Sequence, residues 1–383
     1  MIMKNKRNKI YITRTVKVTS FFLALLMSLL LMNNLFLRRI DQNSLRMEGY
    51  YMEDFDSLDV VTIGASDVYT SFASARAYKD FGFTSYPYAT QSITASGMLT
   101  ALKEVVRTQT PQLIVIEVNA FLYKEKKNES NEGHIRKLID NVPFNQNKID
   151  FVNEYIDPDE RLEYFVPLIK YHDLWKEYPG QMRLALSKLN QDNRGGSYLK
   201  GFRTTTNKFN PPQKILNEKI INEERTLTLN PTLEAELREL LDYCKEKNLN
   251  VVFTRLPHLV YKQTYDRVKR SNRAGEIINS YGYDYINLER DWKKIGLNLK
   301  TDFYNFDHMN IYGAVKMTNY LGNLIKNKYQ IVPEKLSDAQ KERWDKSSVY
   351  FDKLERYCDY LIKNKQKIEL TEDVNTLKTL EDY

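Results

Sequence analysis

Residues 59–67 read DVVTIGASD. The first six, Asp59–Gly64, form a short apolar run closed by glycine, the pattern of a strand buried on both faces. Working outward, helical periodicity occupies Ser92–Val106, with Ile93, Leu99, Leu102, Val105 and Val106 on one face. Pro111 then opens a second buried strand, Gln112–Val118 (QLIVIEV). An amphipathic helix at Glu234–Lys247, carrying Leu237, Leu240, Leu241 and Cys244 on one side, leads into a third strand, Asn250–Leu256 (NVVFTRL). Tyr281–Leu288 reads as a fourth strand and Ile311–Lys326 as a helix. This alternation predicts an α/β fold, a parallel sheet covered by helices on both faces and joined by right-handed crossovers. Chemistry in such sheets gathers at the carboxyl ends of strands. That rule points to Gly64–Asp67, Val118–Asn119, Leu256–His258 and the loop before Ile311.

A polar and aromatic insertion, about residues 120–230, separates the second and third strands. It is too long for a plain loop and should hold helices of its own, Asp159–Trp175 being the clearest. It also carries a Gly-Gly loop at Asn193–Gly196 and the pair Pro211-Pro212. Two placements are open, a cap over the sheet or a lateral decoration. The tail 333–383 is charged and helix-periodic through Trp344, Tyr350, Leu354, Tyr357 and Leu361, and should fray from Leu370 onward.

Of the 383 residues, 42% are hydrophobic and 28% charged, which excludes a disordered or collagenous chain and a multi-span membrane protein. The net charge of +7 is concentrated at one end: Lys4, Lys6, Arg7, Lys9, Arg14 and Lys17 precede any acid. Residues 18–383 carry 51 bases against 50 acids, so no basic surface for nucleic acid is expected. The basic head, 1–17, precedes an apolar stretch at 18–37, long enough as a helix to span roughly 30 Å of hydrocarbon. Leu37 runs into Arg38 and Arg39 with no small-x-small cleavage site, so the stretch reads as an uncleaved anchor rather than a signal peptide. The excess of bases before it places the N-terminus inside and the domain 38–332 outside the membrane. Cys244 and Cys358 lie in helix-like segments and are expected as buried thiols rather than a bridge.

Ser66, directly after the first strand, projects a hydroxyl above the sheet edge, although a serine there also commonly caps the next helix. A serine nucleophile needs a base, usually histidine. His308 lies in a loop before the last core helix, with Asp307 beside it and Asp302 upstream. His258 also ends a strand, but no acid is near it in sequence; His134 and His172 fall in the insertion.

The chain resembles the SGNH (GDSL-like) esterase and acyltransferase superfamily over about residues 58–120 and 230–330, with the anchor. Within it, the likeness is to membrane-anchored bacterial members related to the D-alanyl-lipoteichoic-acid assembly protein and to alginate O-acetylation proteins. The family's Gly-x-Ser is matched by Gly64-Ala65-Ser66. Its oxyanion-donor segment is matched by Ala89-Thr90-Gln91-Ser92, with Thr90 replacing a glycine. Asn119 stands for the oxyanion asparagine, and Asn305-Phe306-Asp307-His308 for Asp-x-x-His. The first residue of that last pattern departs from it, since Asn305 replaces an aspartate that would orient and neutralise the imidazolium.

The resemblance implies a three-layer, flavodoxin-like sheet and a Ser66–His308 site, with Asn305, Asp302 or Asp307 at the ring. Its oxyanion donors would be the backbone at Ser66 or Asp67, Gln91 and Asn119. It implies an anchored O-acyltransferase of an envelope glycan, supplied with acyl groups by a membrane-bound O-acyltransferase. The alternatives are a polysaccharide esterase and a non-catalytic assembly subunit. In the last case Tyr164, Phe165, Tyr171, Trp175, Tyr198 and Phe202 would stack on glycan. There is no phosphate loop, dinucleotide fingerprint or metal-binding carboxylate cluster in the sequence, so neither cofactor nor metal is expected.

Overall fold

The computed structural model describes residues 2–37, 41–125, 129–173, 197–371 and 374–383. Five strands form one sheet, four of them buried throughout, β1 (Val60–Gly64), β2 (Ser85–Ala89), β3 (Leu113–Glu117) and β4 (Val251–Arg255), and a partly exposed edge strand, β5 (Asp284–Asn287). Their order is β2-β1-β3-β4-β5, and every pairing is parallel. This is the flavodoxin-like order, in which the chain reverses direction of growth between β1 and β3 and leaves a crevice at their carboxyl ends.

Alternation along the strands divides the core between two faces. Val60, Leu113, Val115 and Val252 share one cluster with Phe83, Met317, Leu321 and Ile325, the last three from the helix Ile311–Lys328. Their neighbours Val61, Ile63, Ile114, Ile116, Val251 and Phe253 are buried as well, on the opposite face. There the helix Ala95–Thr108, capped by Thr94, packs on β1 and on Pro231–Glu246.

Four of the five strands fall where hydrophobic runs place them; β2 has no such run. Its sequence, SYPYA, carries Pro87, which cannot donate to a ladder. At the sheet edge it pairs only with β1, where proline is tolerated.

Two compact units are distinguished, Met1–Ile40 with Ile156–Gln191, and Asp41–Tyr155 with Asp192–Tyr383. In the first, one helix runs from Ile2 to Leu37, and its stretch Tyr11–Leu31 is long and apolar enough to cross a membrane. The expected helix Asp159–Trp175 is instead two short ones, Arg161–Phe165 and Pro167–Tyr171. Pro167 disfavours helical backbone at Val166, which adopts φ −124° and ψ 78°. Trp175 and the loop Asn193–Gly196 lie outside the described residues, as do Arg38 and Arg39.

In the second unit, the insertion's early helices, Glu132–Ile139 and Gln146–Tyr155, pack laterally on Ala95–Thr108. The tail does not fray at Leu370. Its long helix Asp338–Lys363 lies on Ser74–Phe81, and Leu370 and Leu380 are buried in the cluster around Phe351 and Leu361. Phe202 packs on Phe351 and Tyr198 on Tyr350, so these rings are engaged in packing, while Tyr164 and Tyr171 are buried in the first unit. Cys244 and Cys358 are buried free thiols.

Candidate active site

At the end of β1 the chain turns at Ala65 into the short helix Ser66–Ser71. Gly64 permits the turn's close approach to β3, since a Cβ there would meet Val68 Cγ2 at 2.6 Å and Glu117 Cβ at 2.9 Å. Ser66 makes no cap with its side chain. Its Oγ lies 2.6 Å from Nε2 of His308.

His308 is delivered by a tight loop, closed by the bridge between Phe303 and Met309 and by Tyr304 N–H donating to the His308 carbonyl. Asn310 caps the following helix Ile311–Lys328, accepting from Tyr312 and Gly313, and its amide donates to the carbonyls of Asn207 and Thr301. Within the loop, Asn305 Oδ1 accepts from the backbone N–H of Asp307 and of His308, each at 2.9 Å, and lies 2.9 Å from His308 Nδ1. Two backbone donors fix that atom as the amide oxygen, so Nδ1 must carry the ring proton. Nε2 is then left with its lone pair facing the Ser66 hydroxyl, the tautomer a general base requires. The Tyr304 ring lies parallel to the imidazole, 12° between planes and 5.3 Å between centroids. Burial holds His308 below the usual imidazole range, against the pull of the Asp67 and Asp307 carboxylates, so the ring is neutral at neutral pH.

The other expected residues are placed differently. Asp307 does not touch the ring; its half-exposed carboxylate sits 3.9 Å from Arg267. Being adjacent in sequence does not bring it to the imidazole, because Asn305 already occupies Nδ1. Asp302 is buried and accepts from Asn298 N–H, the Thr301 hydroxyl and Lys316 Nζ, which fastens the loop. Gln91 is exposed, its N–H donating to Asn43 and its side-chain oxygen accepting from Lys137. Those bonds hold it away from an oxyanion role. Asn119, after β3, directs its amide nitrogen to Asp67 Oδ2 at 3.4 Å, and its Oδ1 is buried without a partner. The N–H groups of Ser66 and Asp67 open a helix and have no acceptor within it.

Beneath Ser66 lies a group of charges that strand patterns alone did not reveal. Asp67 Oδ2 is 3.3 Å from His258 Nε2, and His258 Nδ1 lies 2.7 Å from the Leu256 carbonyl and 3.2 Å from Glu289. Arg255 bridges Glu117 at 3.4 Å and Glu289 at 3.1 Å. Glu117 in turn accepts from Asn119 N–H at 2.6 Å. All five side chains are buried. His258 is therefore a partner of two acids, though none is near it in sequence.

Burial opposes every charge in the group, and the neighbours decide which survive. Burial would raise Asp67, but His258 and Arg255 hold it below the usual carboxyl range. Glu289 is likewise held low against burial, by Arg255 and His258. Burial, with the Asp67 charge added, pushes Glu117 up to about 8. Burial and Arg255 would lower His258, yet Asp67 and Glu289 raise it to about 9. At neutral pH the group thus holds two anions, two cations and one protonated Glu117, with no net charge. A signal was present: Glu117 and Arg255 each end an apolar run, and a charge in a strand buried on both faces must find a partner.

No family model matches the chain, and no curated protein matches it. Among solved structures it is similar to a "putative acylhydrolase" of Bacteroides fragilis. The two share 10% identity over 74% of this chain and 94% of that one, with a TM-score of 0.33.

Proposed function

We propose that the chain is a membrane-anchored serine acyltransferase of a cell-envelope glycan, with Ser66 as nucleophile and His308 as base. The observation that carries this reading is the 2.6 Å contact between Ser66 Oγ and the unprotonated Nε2 of His308, with Nδ1 held by Asn305. In the first half-reaction Ser66 Oγ attacks an acyl carbonyl while Nε2 takes the hydroxyl proton. The N–H groups of Ser66 and Asp67 face the developing oxyanion, each such donor being worth ~3 kcal/mol of barrier. The leaving group departs with the proton from Nε2, and an acyl-serine remains. In the second half-reaction Nε2 takes the proton of a sugar hydroxyl as its oxygen attacks the acyl carbonyl, the bond to Ser66 Oγ breaks, and Nε2 returns the proton to Oγ, which restores Ser66.

The apolar helix supports transfer at a membrane, with the N-terminus inside, the sheet domain outside and acyl groups supplied by a membrane-bound O-acyltransferase. Protease added to intact cells should digest the sheet domain and spare an N-terminal epitope. With water as acceptor the same site is an esterase, and product analysis with and without a sugar acceptor separates the two.

The test is hydrolysis of an acylated chromophore together with mass spectrometry of Ser66. Wild-type protein should release acid and carry an acyl adduct on Ser66, and Ser66→Ala should lose at least about a thousandfold in rate. Equal rates for the two proteins would end the enzymatic reading. A neutral amide at position 305 favours one competing reading, an assembly subunit without turnover. In that case Ser66→Ala would leave surface acylation intact while deletion of the chain abolishes it.

A further inference from the structure

We propose that Arg267, laid on the ring of Tyr123 beside His308, binds an oxyanion of the glycan, so that the substrate is an acidic sugar chain whose carboxylate or phosphate lies near the hydroxyl that reacts. The inference rests on the reading of Ser66 and His308 given above and narrows its substrate class.

Two elements bring these side chains to the site. After β3 the turn Asn119–Phe121 leads to Leu122 and Tyr123, on the crevice at the carboxyl ends of β1 and β3. The helix Tyr265–Ser280, after β4, carries Arg267 and Arg270, three residues apart and therefore on one face. Arg270 Nε donates to the Leu122 carbonyl at 2.6 Å, and the Arg267 guanidinium lies over the Tyr123 ring, 4.5 Å from its centroid. The same guanidinium is 3.9 Å from the carboxylate of Asp307, and the next residue, His308, touches Ser66.

The guanidinium is placed but not spent. Its side chain is only 22% exposed, yet among the described residues none of its N–H groups makes a hydrogen bond. The half-exposed Asp307 is too far away for one. The Tyr123 hydroxyl likewise makes no hydrogen bond among the described residues, and burial pushes it above its ordinary range, so it stays protonated and able to donate. Polar groups this sheltered take their partners from water or from a ligand. A planar fork on an aromatic face suits a carboxylate or a phosphate, either of which accepts two parallel N–H groups at once. The surrounding charge has the same sign. Lys269 is paired with Asp266 at 2.9 Å, whereas Arg270 and the exposed Lys124 form no ion pair among the described residues. A neutral sugar would use none of this positive charge.

The test titrates the full chain in detergent, with histidine labelled, against three sugars that differ at one carbon: glucose, glucuronate and glucose 6-phosphate. The NMR signals of the His308 ring report binding beside the nucleophile. At least one of the anionic sugars should shift them with an affinity about tenfold or more above that of glucose. Which of the two does so separates a carboxylate from a phosphate. Arg267→Gln should remove the preference, and Arg267→Lys, which keeps the charge without the fork, should restore part of it. Equal affinities for the three sugars in wild-type protein, or no shift with any of them, overturn the proposal without recourse to a variant. A preference that Arg267→Gln leaves intact also overturns it, because the anion is then held by other groups. Binding needs no turnover, so the two readings fail separately. A protein that prefers the anion and hydrolyses no ester loses the enzymatic reading alone, and one that hydrolyses esters without the preference loses this proposal alone.

Discussion

His308 receives its orientation from Asn305 Oδ1, which accepts two backbone N–H groups and the ring Nδ1–H together. An aspartate is isosteric there and accepts from the same three donors. In serine triads, replacing the acid by asparagine is costly chiefly because it selects the wrong tautomer. The loop here already fixes the right one, so Asn305→Asp adds charge alone. We expect kcat/KM for an ester to rise about tenfold, ~1.4 kcal/mol of barrier, with its acid limb moving to higher pH. Equal rates and an unmoved limb would show that the ring is already neutralised. Ser66, His308 and Asn305 were legible because each ends or precedes a recognisable element. Asp307 and His258 were not, because sequence adjacency stood in for spatial adjacency. Asp307 turns away to Arg267, and the acids of His258 come from Asp67 and Glu289, on different loops.

The helix Ile311–Lys328 and the loop that carries His308 are locked together at Gly313, where a Cβ would sit 2.3 Å from the Asp302 carbonyl oxygen. That carbonyl also accepts Asn310 N–H at 3.0 Å, so neither partner can retreat without loosening the helix start. Gly313→Ala should destabilise the protein by about 1–3 kcal/mol in denaturant unfolding. It should also lower ester turnover more than a surface variant of equal stability, since the loop bearing His308 must shift. A stability within ~0.5 kcal/mol of wild type would refute the packing argument. Apolar runs made four strands and the core helices legible in sequence. Elements whose logic is positional were not: β2 survives Pro87 only at the sheet edge, and Pro167 splits one expected helix in two. The end of the tail was misread for a related reason, since its charged sequence hides Leu370 and Leu380, which are buried against distant residues.

Across the whole sheet, the buried charges tie the carboxyl ends of β1, β3 and β4 to Glu289, two residues past the end of β5, so their protonation bears on global stability. The sign follows from comparing folded and unfolded states. Glu117 rises from an ordinary 4.5 to about 8 on folding, so the folded state keeps a proton that the unfolded chain has lost. Its contribution falls as pH rises from 4.5 to 8. His258 rises from 6.5 to about 9, and its contribution falls between those values. Asp67 and Glu289 are shifted down, so their contributions are complete above the ordinary carboxyl range and are lost only as pH falls through their folded values. Between pH 6.5 and 9 the group therefore changes stability in one direction, by about 1.4 kcal/mol per unit for each group in transition. The thermal midpoint should drop by several degrees across that window, and His258→Gln should flatten the part above pH 8, where Glu117 has already ionised. A midpoint constant or rising between pH 6.5 and 9 would mean that His258 is neutral in the folded protein, and with it the ion pair that steadies Asp67 under Ser66 would be lost.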